Sequence, residues 1–296
     1  MKANELLILG GTGEASALAR AVLARFGDAL SLTTSLAGRT ERPHVLPGRV
    51  RIGGFGGAAG LAGYLVEHGV DRLIDATHPF AARISTEARL ACEAARVPRL
   101  LLLRPPWRRH PLDRWTEVDS MAAAAEIVGR FGRRAFLTVG AGEIACFASA
   151  SGVRFLVRLV DPPRRRLPLR CYEVIIGRGP FTLAEERQRL ERYAIDVLVC
   201  KASGGAATEA KILAARELRL PVIIVRRPPP EPGDAVATVE AAVDWLAGEH
   251  AFPKAERCHE RSPHCAPRRG GGGRRHPRQS RVARAEPWDQ PVWPIL

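Results

Sequence analysis

The residues with the clearest chemical use fall at three turns. In the first, Leu6-Leu-Ile-Leu9 runs into Gly10-Gly11-Thr12-Gly13-Glu-Ala-Ser16. An apolar run long enough for one buried strand gives way to glycines and then to a helical pattern. Glycines let backbone amides approach phosphate oxygens, and the helix behind them aims its N-terminal amides and dipole at the same point. Ser16 stands where a third glycine would complete Gly-x-Gly-x-x-Gly, so an ordinary tight β-α turn is the plain alternative. In the second, Asp71 to Asp75 ends in Ala76-Thr77-His78-Pro79-Phe80-Ala81. Ligands of open α/β sheets bind at the carboxyl ends of strands, which puts Thr77 and His78 on the reacting edge. In the third, Lys201-Ala-Ser203-Gly204-Gly205-x-x-Thr208 sits between a strand and a helix. A cation, a hydroxyl and two glycines make a second anion site. It is not a P-loop, because the lysine precedes the glycines. A plain turn with an exposed lysine has the same spelling.

The elements that must position these turns alternate. Helical spacing covers Glu14 to Phe26, and strands are expected at 30–34, 49–52, 71–75 and 99–103. A glycine-rich loop, Gly53 to Gly57, follows the third strand. Strand and helix in alternation give a parallel sheet covered on both faces. The second strand ends in Thr33-Thr34-Ser35, with Arg39 beyond it. In a NAD site an Asp or Glu there binds the ribose 2′-hydroxyl; hydroxyls and a guanidinium suit a 2′-phosphate, so NADP is favoured over NAD. Arg104-Pro-Pro-Trp-Arg-Arg-His-Pro111 breaks the repeat. The expected domains are residues 1–104, binding the dinucleotide, and 105–248, facing them across a cleft. The second half repeats the pattern, with strands near 115, 135, 153, 171, 196 and 221, a capping box from Thr182 to Glu185, and a last helix over 235–247.

The net charge is +14 over 296 residues, with ten Lys/Arg and four Asp/Glu in residues 251–296. Glycine, proline and arginine crowd this tail and periodicity is lost, so 249–296 reads as a disordered basic segment. Its arginines are not interleaved with stacking aromatics, so no specific nucleic-acid partner is expected. Cys258-His259 and His264-Cys265 match no zinc module, and no metal is expected. Basic charge in the body suggests an acidic ligand. No apolar run approaches a membrane span and no leader with a cleavage site is read. Cys92, Cys146, Cys171 and Cys200 show no paired spacing, which fits a reducing cytoplasm, and a monomer is expected.

Four motifs in order, Ile8-Leu-Gly-Gly-Thr-x-Glu-Ala15, Thr34-Ser-x-Ala-Gly-Arg39, Asp75-Ala-Thr-His-Pro-Phe-Ala81 and Lys201-x-Ser-Gly-Gly-x-x-Thr-x-x-Lys211, resemble the precorrin-6A reductase family of cobalamin biosynthesis. Arg216-x-Leu-x-x-Pro-Val222 fits as well. The resemblance covers about residues 3 to 248. It implies two Rossmann-like domains, and an NADPH-dependent reduction of one ring double bond of precorrin-6A to give precorrin-6B. On that reading Gly10, Gly11, Thr12 and Gly13 hold the pyrophosphate, and Ser35 and Arg39 the 2′-phosphate. Thr77 and His78 sit by the nicotinamide, with His78 a candidate proton donor. Lys201, Ser203, Gly204 and Arg104 meet the carboxylate-bearing macrocycle, with Arg108, Arg109 and Arg164 to Arg166 as further cations.

Three rival classes meet the residues less well. A short-chain dehydrogenase needs Tyr-x-x-x-Lys, but Tyr64, Tyr172 and Tyr193 are followed at that spacing by His68, Ile176 and Val197. A cofactor-free tetrapyrrole synthase or lyase leaves the Gly10–Gly13 turn and Arg39 without purpose. A non-catalytic NADP sensor needs no basic cleft in the second half.

Overall fold

The structure, a computed structural model, describes residues 4–38 and 46–248. The first half runs β1 (Asn4–Leu9), α1 (Gly13–Phe26), β2 (Leu30–Leu36), β3 (Arg49–Ile52), α2 (Ala58–Glu67), β4 (Arg72–Asp75), α3 (Ala82–Ala95) and β5 (Arg99–Leu102). The second runs β6 (Arg114–Val118), α4 (Met121–Phe131), β7 (Arg134–Leu137), β8 (Arg154–Leu159), β9 (Tyr172–Ile176), α5 (Leu183–Arg192), β10 (Val197–Lys201), α6 (Ala210–Glu217) and β11 (Pro221–Val225). The chain then adds β12 (Ala235–Val236) and α7 (Val239–Ala247).

The strands form two six-stranded parallel sheets, ordered β12-β5-β4-β1-β2-β3 and β6-β11-β10-β7-β8-β9. The expected α/β class is the observed one. Strands buried on both faces are near-continuous apolar runs, and β1 shows it: Leu6 and Ile8 pack with α1 and α7, while Leu7 and Leu9 pack with α2 and α3. The second sheet divides in the same way. Leu137, Val157 and Val199 lie in the layer under α4; Phe136, Leu156 and Cys200 lie under α5 and α6.

The return of the chain differs from the sequence reading, which placed one helix over 235–247 in the second half. Val236 pairs with Leu102 of the first sheet, and Leu101 N and Leu103 N donate to Asp234 O and Val236 O. Thr238 then caps α7 by accepting from Ala241 N. Ala242 and Leu246 bury against Leu18 and Val22 of α1. Residues 103–113 and 226–234 therefore both pass between the sheets.

Candidate functional site

The β1–α1 turn is built by its own residues. Gly10 N donates to Ser35 O at 2.9 Å, and a Cβ on Gly10 would stand 3.0 Å from Thr34 Cγ2, so any larger residue would crowd β2 where β1 closes on it. Gly11 has φ +103°, and a Cβ on Gly11 or Gly13 would meet nothing within 4 Å. The amides of Gly11, Thr12 and Gly13, beside that open space, have no acceptor among the described residues. Free amides at a helix start beside open space are what a bound phosphate requires. Thr12 Oγ1 does structural work: it accepts from Ala15 N (3.0 Å) as the cap of α1 and donates to Ala76 O (2.7 Å). The first turn is thereby tied to the second.

At the end of β4 the buried Asp75 carboxylate accepts from Thr77 N (3.1 Å), Thr77 Oγ1 (2.7 Å) and Ser85 Oγ (2.5 Å). Thr77 is thus fixed by its neighbour two residues back. A cavity of about 30 Å³, room for roughly one water, lies against Asp75, Thr77, His78 and Ser85, and is lined on its other side by Leu102 and Pro230. His78 Nδ1 accepts from Phe80 N at 3.2 Å, which leaves the proton on Nε2. Burial pushes the imidazole down to about 3, and the charges of Arg104, Lys201, Arg227 and Lys211 add to the shift. The ring is neutral at pH 7 and can donate a hydrogen bond; it holds no imidazolium proton to give. Phe80 reaches across to the core of the second sheet, where the Lys201 ammonium lies 4.9 Å from its ring centre.

Lys201 Nζ also pairs with Glu143 Oε1 at 2.7 Å. Beyond it, Ser203 and Gly204 are buried. Arg104 Nε donates to Ser203 O at 2.8 Å, and its Nη1 to both oxygens of Glu14 at 3.0 and 2.9 Å. Arg227 clamps the same place, donating to Arg104 O, Ser203 O and Ala202 O. Gly204 has φ +66°, and a Cβ there would come within 2.2 Å of Pro105 O. Trp107 Nε1 donates to Gly205 O at 3.0 Å.

All three turns therefore meet. Thr12 joins the first to the second, Glu14–Arg104 the first to the third, and Phe80–Lys201 the second to the third. Ser35 stands buried at the end of β2. Arg39 lies outside the described residues, as do Cys258, His259, His264 and Cys265 and the rest of the tail. Arg108 and Arg109 are exposed in the linker after β5, and Arg164 to Arg166 are exposed between β8 and β9. Among the described residues no group of His, Cys, Asp and Glu is arranged to hold a metal, and no helix is long and apolar enough to cross a membrane.

Sequence reasoning missed Glu14, Asp75, Glu143 and Arg227 as site residues. Glu14 carried the one available signal, a carboxylate in a helix first turn beside a phosphate-type turn, where like charges repel unless a cation stands by. Asp75 has its partners within ten residues, in Thr77 and Ser85, whereas Glu143 and Arg227 are paired only by tertiary packing.

Residues 5–247 match the family model described as precorrin-6x reductase CbiJ/CobK. The precorrin-6A reductase of Rhodobacter capsulatus is 44% identical over 251 residues, covering 85% of this chain and 99% of that protein. That of Mycobacterium tuberculosis H37Rv is 40% identical over 249 residues, at 83% and 98% coverage. The cobalt-precorrin-6A reductase of Salmonella typhimurium is 30% identical, at 83% and 98%. A solved structure titled CobK precorrin-6A reductase superposes with a TM-score of 0.79 at 44% identity, over 85% of this chain and 99% of that one. Matched from β1 to α7 in sequence and in fold, the chain belongs to the precorrin-6x reductase CbiJ/CobK family.

Proposed function

We propose that the protein uses NADPH to reduce one ring double bond of precorrin-6A, giving precorrin-6B. It is an oxidoreductase of cobalamin biosynthesis by family; the cofactor, the cobalt-free precursor and the residue roles are the finer part of the reading. A cytoplasmic monomer acting on a free tetrapyrrole completes it.

One observation carries the reading: an open glycine turn with free amides abuts a neutral histidine held under four cations. The residues fit a dinucleotide. Amides of Gly11, Thr12 and Gly13 take the pyrophosphate, and Ser35, with Arg39 beyond it, takes the 2′-phosphate. Bound NADPH supplies the hydride, while the protein supplies orientation, charge and exclusion of water. Thr77, fixed by Asp75, shapes the nicotinamide edge. His78 offers Nε2–H as a hydrogen-bond donor to the substrate, which replaces the role of acid with one that a neutral ring can perform. Lys201 meets a substrate carboxylate in place of Glu143. Arg104, Ser203 and Gly204 form the wall on which Lys201 stands, and Glu14 offsets the buried Arg104 charge.

The test has two parts. Nicotinamide fluorescence is titrated with NADPH and NADH, for wild type and Arg39→Ala; wild type is expected to prefer NADPH, and the variant to lose about tenfold or more for NADPH and little for NADH. Equal loss for both removes the 2′-phosphate assignment. Turnover is then compared on precorrin-6A and its cobalt complex, and a rate confined to the cobalt form corrects the substrate.

A further inference from the structure

Lys211 is the second residue of α6 and closes the Lys201-to-Lys211 motif, and it has no role of its own among those assigned to substrate and cofactor. It is 5% exposed. Its ammonium makes no hydrogen bond or ion pair with any described residue; its recorded contact is the face of Trp107, 5.2 Å from the ring centre. The other buried cations nearby are satisfied. Arg104 holds Glu14, and Arg227 holds three carbonyls. Glu186 of α5 accepts from Arg158 and Arg189 through Oε1, and its buried Oε2 makes no hydrogen bond to Lys211 or to any other described residue. Taking an ammonium out of water costs more than one cation–π contact returns, and an apolar side chain of the same length would pack there without that cost. Packing therefore gives no reason for a charge.

The position gives one. Trp107, which covers the Lys211 ammonium, donates to Gly205 O of the third turn, so the lysine lies against the underside of the site. Its charge adds to that at His78, the smallest of four cationic effects there, after those of Arg104, Lys201 and Arg227.

We propose that Lys211 is a fixed buried cation for the reduction, stabilising through space the negative charge that hydride addition brings into the macrocycle. This rests on the reading that the ring is reduced beside His78. In the step, the nicotinamide C–H pair forms a new C–H bond on one ring carbon, oxidising the cofactor. The π pair moves onto the conjugated partner atom, which then takes a proton from water. Lys211 keeps its own proton throughout, and acts only by favouring the charged intermediate over the neutral ring.

The charge has a pH range. The groups facing Lys211 are Cys200 from β10, Arg158 from β8, Glu186 from α5 and Arg104 from the linker; burial dominates and pushes the amine down to about 8. Above that the cation is lost.

The experiment measures kcat and KM for wild type, Lys211→Arg and Lys211→Met from about pH 6 to 9.5, with the Lys211 amine titrated by NMR in ¹³C-lysine-labelled protein. Expected are a kcat about 10- to 100-fold lower in Lys211→Met, with KM for NADPH within about twofold. Lys211→Arg keeps most of the rate and lacks the fall above pH 8 seen in wild type. The amine titrates near 8. A Lys211→Met enzyme with wild-type rate and pH profile overturns the proposal, as does Lys211→Arg being as slow as Lys211→Met while both melt like wild type. If Lys211→Met does not fold, the arginine variant decides: an unchanged fall above pH 8, or an NMR midpoint above 10, overturns it. A wild type that binds NADPH but turns over no substrate defeats the reaction itself. Failure of Lys211 alone leaves the wild type active.

Discussion

His78 is held out of titration, and this has a consequence for stability. Its ordinary value is 6.5 and burial, with four nearby cations, takes it to about 3. As pH falls through 6.5 the unfolded chain gains a proton that the folded chain does not take until about 3, so stability falls across that window. His78→Gln removes the term. Between pH 7 and 5 its unfolding free energy is expected to fall by about 1–2 kcal/mol less than that of wild type, as read from urea midpoints; parallel losses in both proteins would show that the ring titrates freely. Lys211 has the opposite cost to the same end: the folded protein carries a charge it would be more stable without, so Lys211→Met is expected to melt a few degrees higher than wild type at pH 7. At this scale the sequence was legible where a residue's type and its turn coincide, as for Gly10, Gly11, His78 and Lys201. It was silent on Arg227 and Glu143, whose partners lie far along the chain at the ends of other strands and follow no spacing. Arg104 was legible as a cation, but its hydrogen bonds to Glu14 and Ser203 O are properties of the packed interface.

Elements differ in how far one glycine decides them. Gly204 has no room and a left-handed backbone, whereas Gly13 opens α1 with nothing in front of it. Gly204→Ala pushes the Ser203–Gly205 turn off Pro105 and is expected to lose about 2 kcal/mol or more of stability. Gly13→Ala is expected to fold like wild type and to weaken NADPH binding, because its methyl enters the space the pyrophosphate needs. Thermal melts and NADPH titration on both variants check the contrast; the reverse pattern removes the assignment of the first turn. Most elements were readable because strands buried on both faces are short apolar runs and helices keep their period: β3 falls at the residues expected, and β11 begins where a strand was expected. β12 was not readable. A two-residue strand has no period, and its partner β5 lies more than a hundred residues earlier, so Thr238 alone marked where helix begins.

At the scale of the molecule, the sheets share their chain. The first sheet ends on β12 and is covered by α7, both delivered from beyond the second sheet, and Glu231 on the returning segment pairs with Arg89 and Thr86 of α3. The domain limits at 104 and 248, read from composition, mark where the pattern breaks; they do not mark a piece with a finished core. A fragment of residues 1–104 lacks the cover that Ala242 and Leu246 give α1. It is expected to unfold without a cooperative transition, and to gain one when a peptide of residues 226–248 is added. A sharp melt for the fragment alone would contradict this. The apolar runs made two sheets legible; which strand closed which sheet was not, because exchange between sheets leaves each run's composition unchanged.

The same return governs synthesis. A chain emerging from the ribosome exposes β1 first, yet the sheet that β1 centres cannot be finished until residues 235–247 have left the exit tunnel. The half that would ordinarily fold first must wait for nearly the whole message to be read. Premature termination anywhere before α7 leaves the face of α1 that α7 covers open to chaperones and proteases.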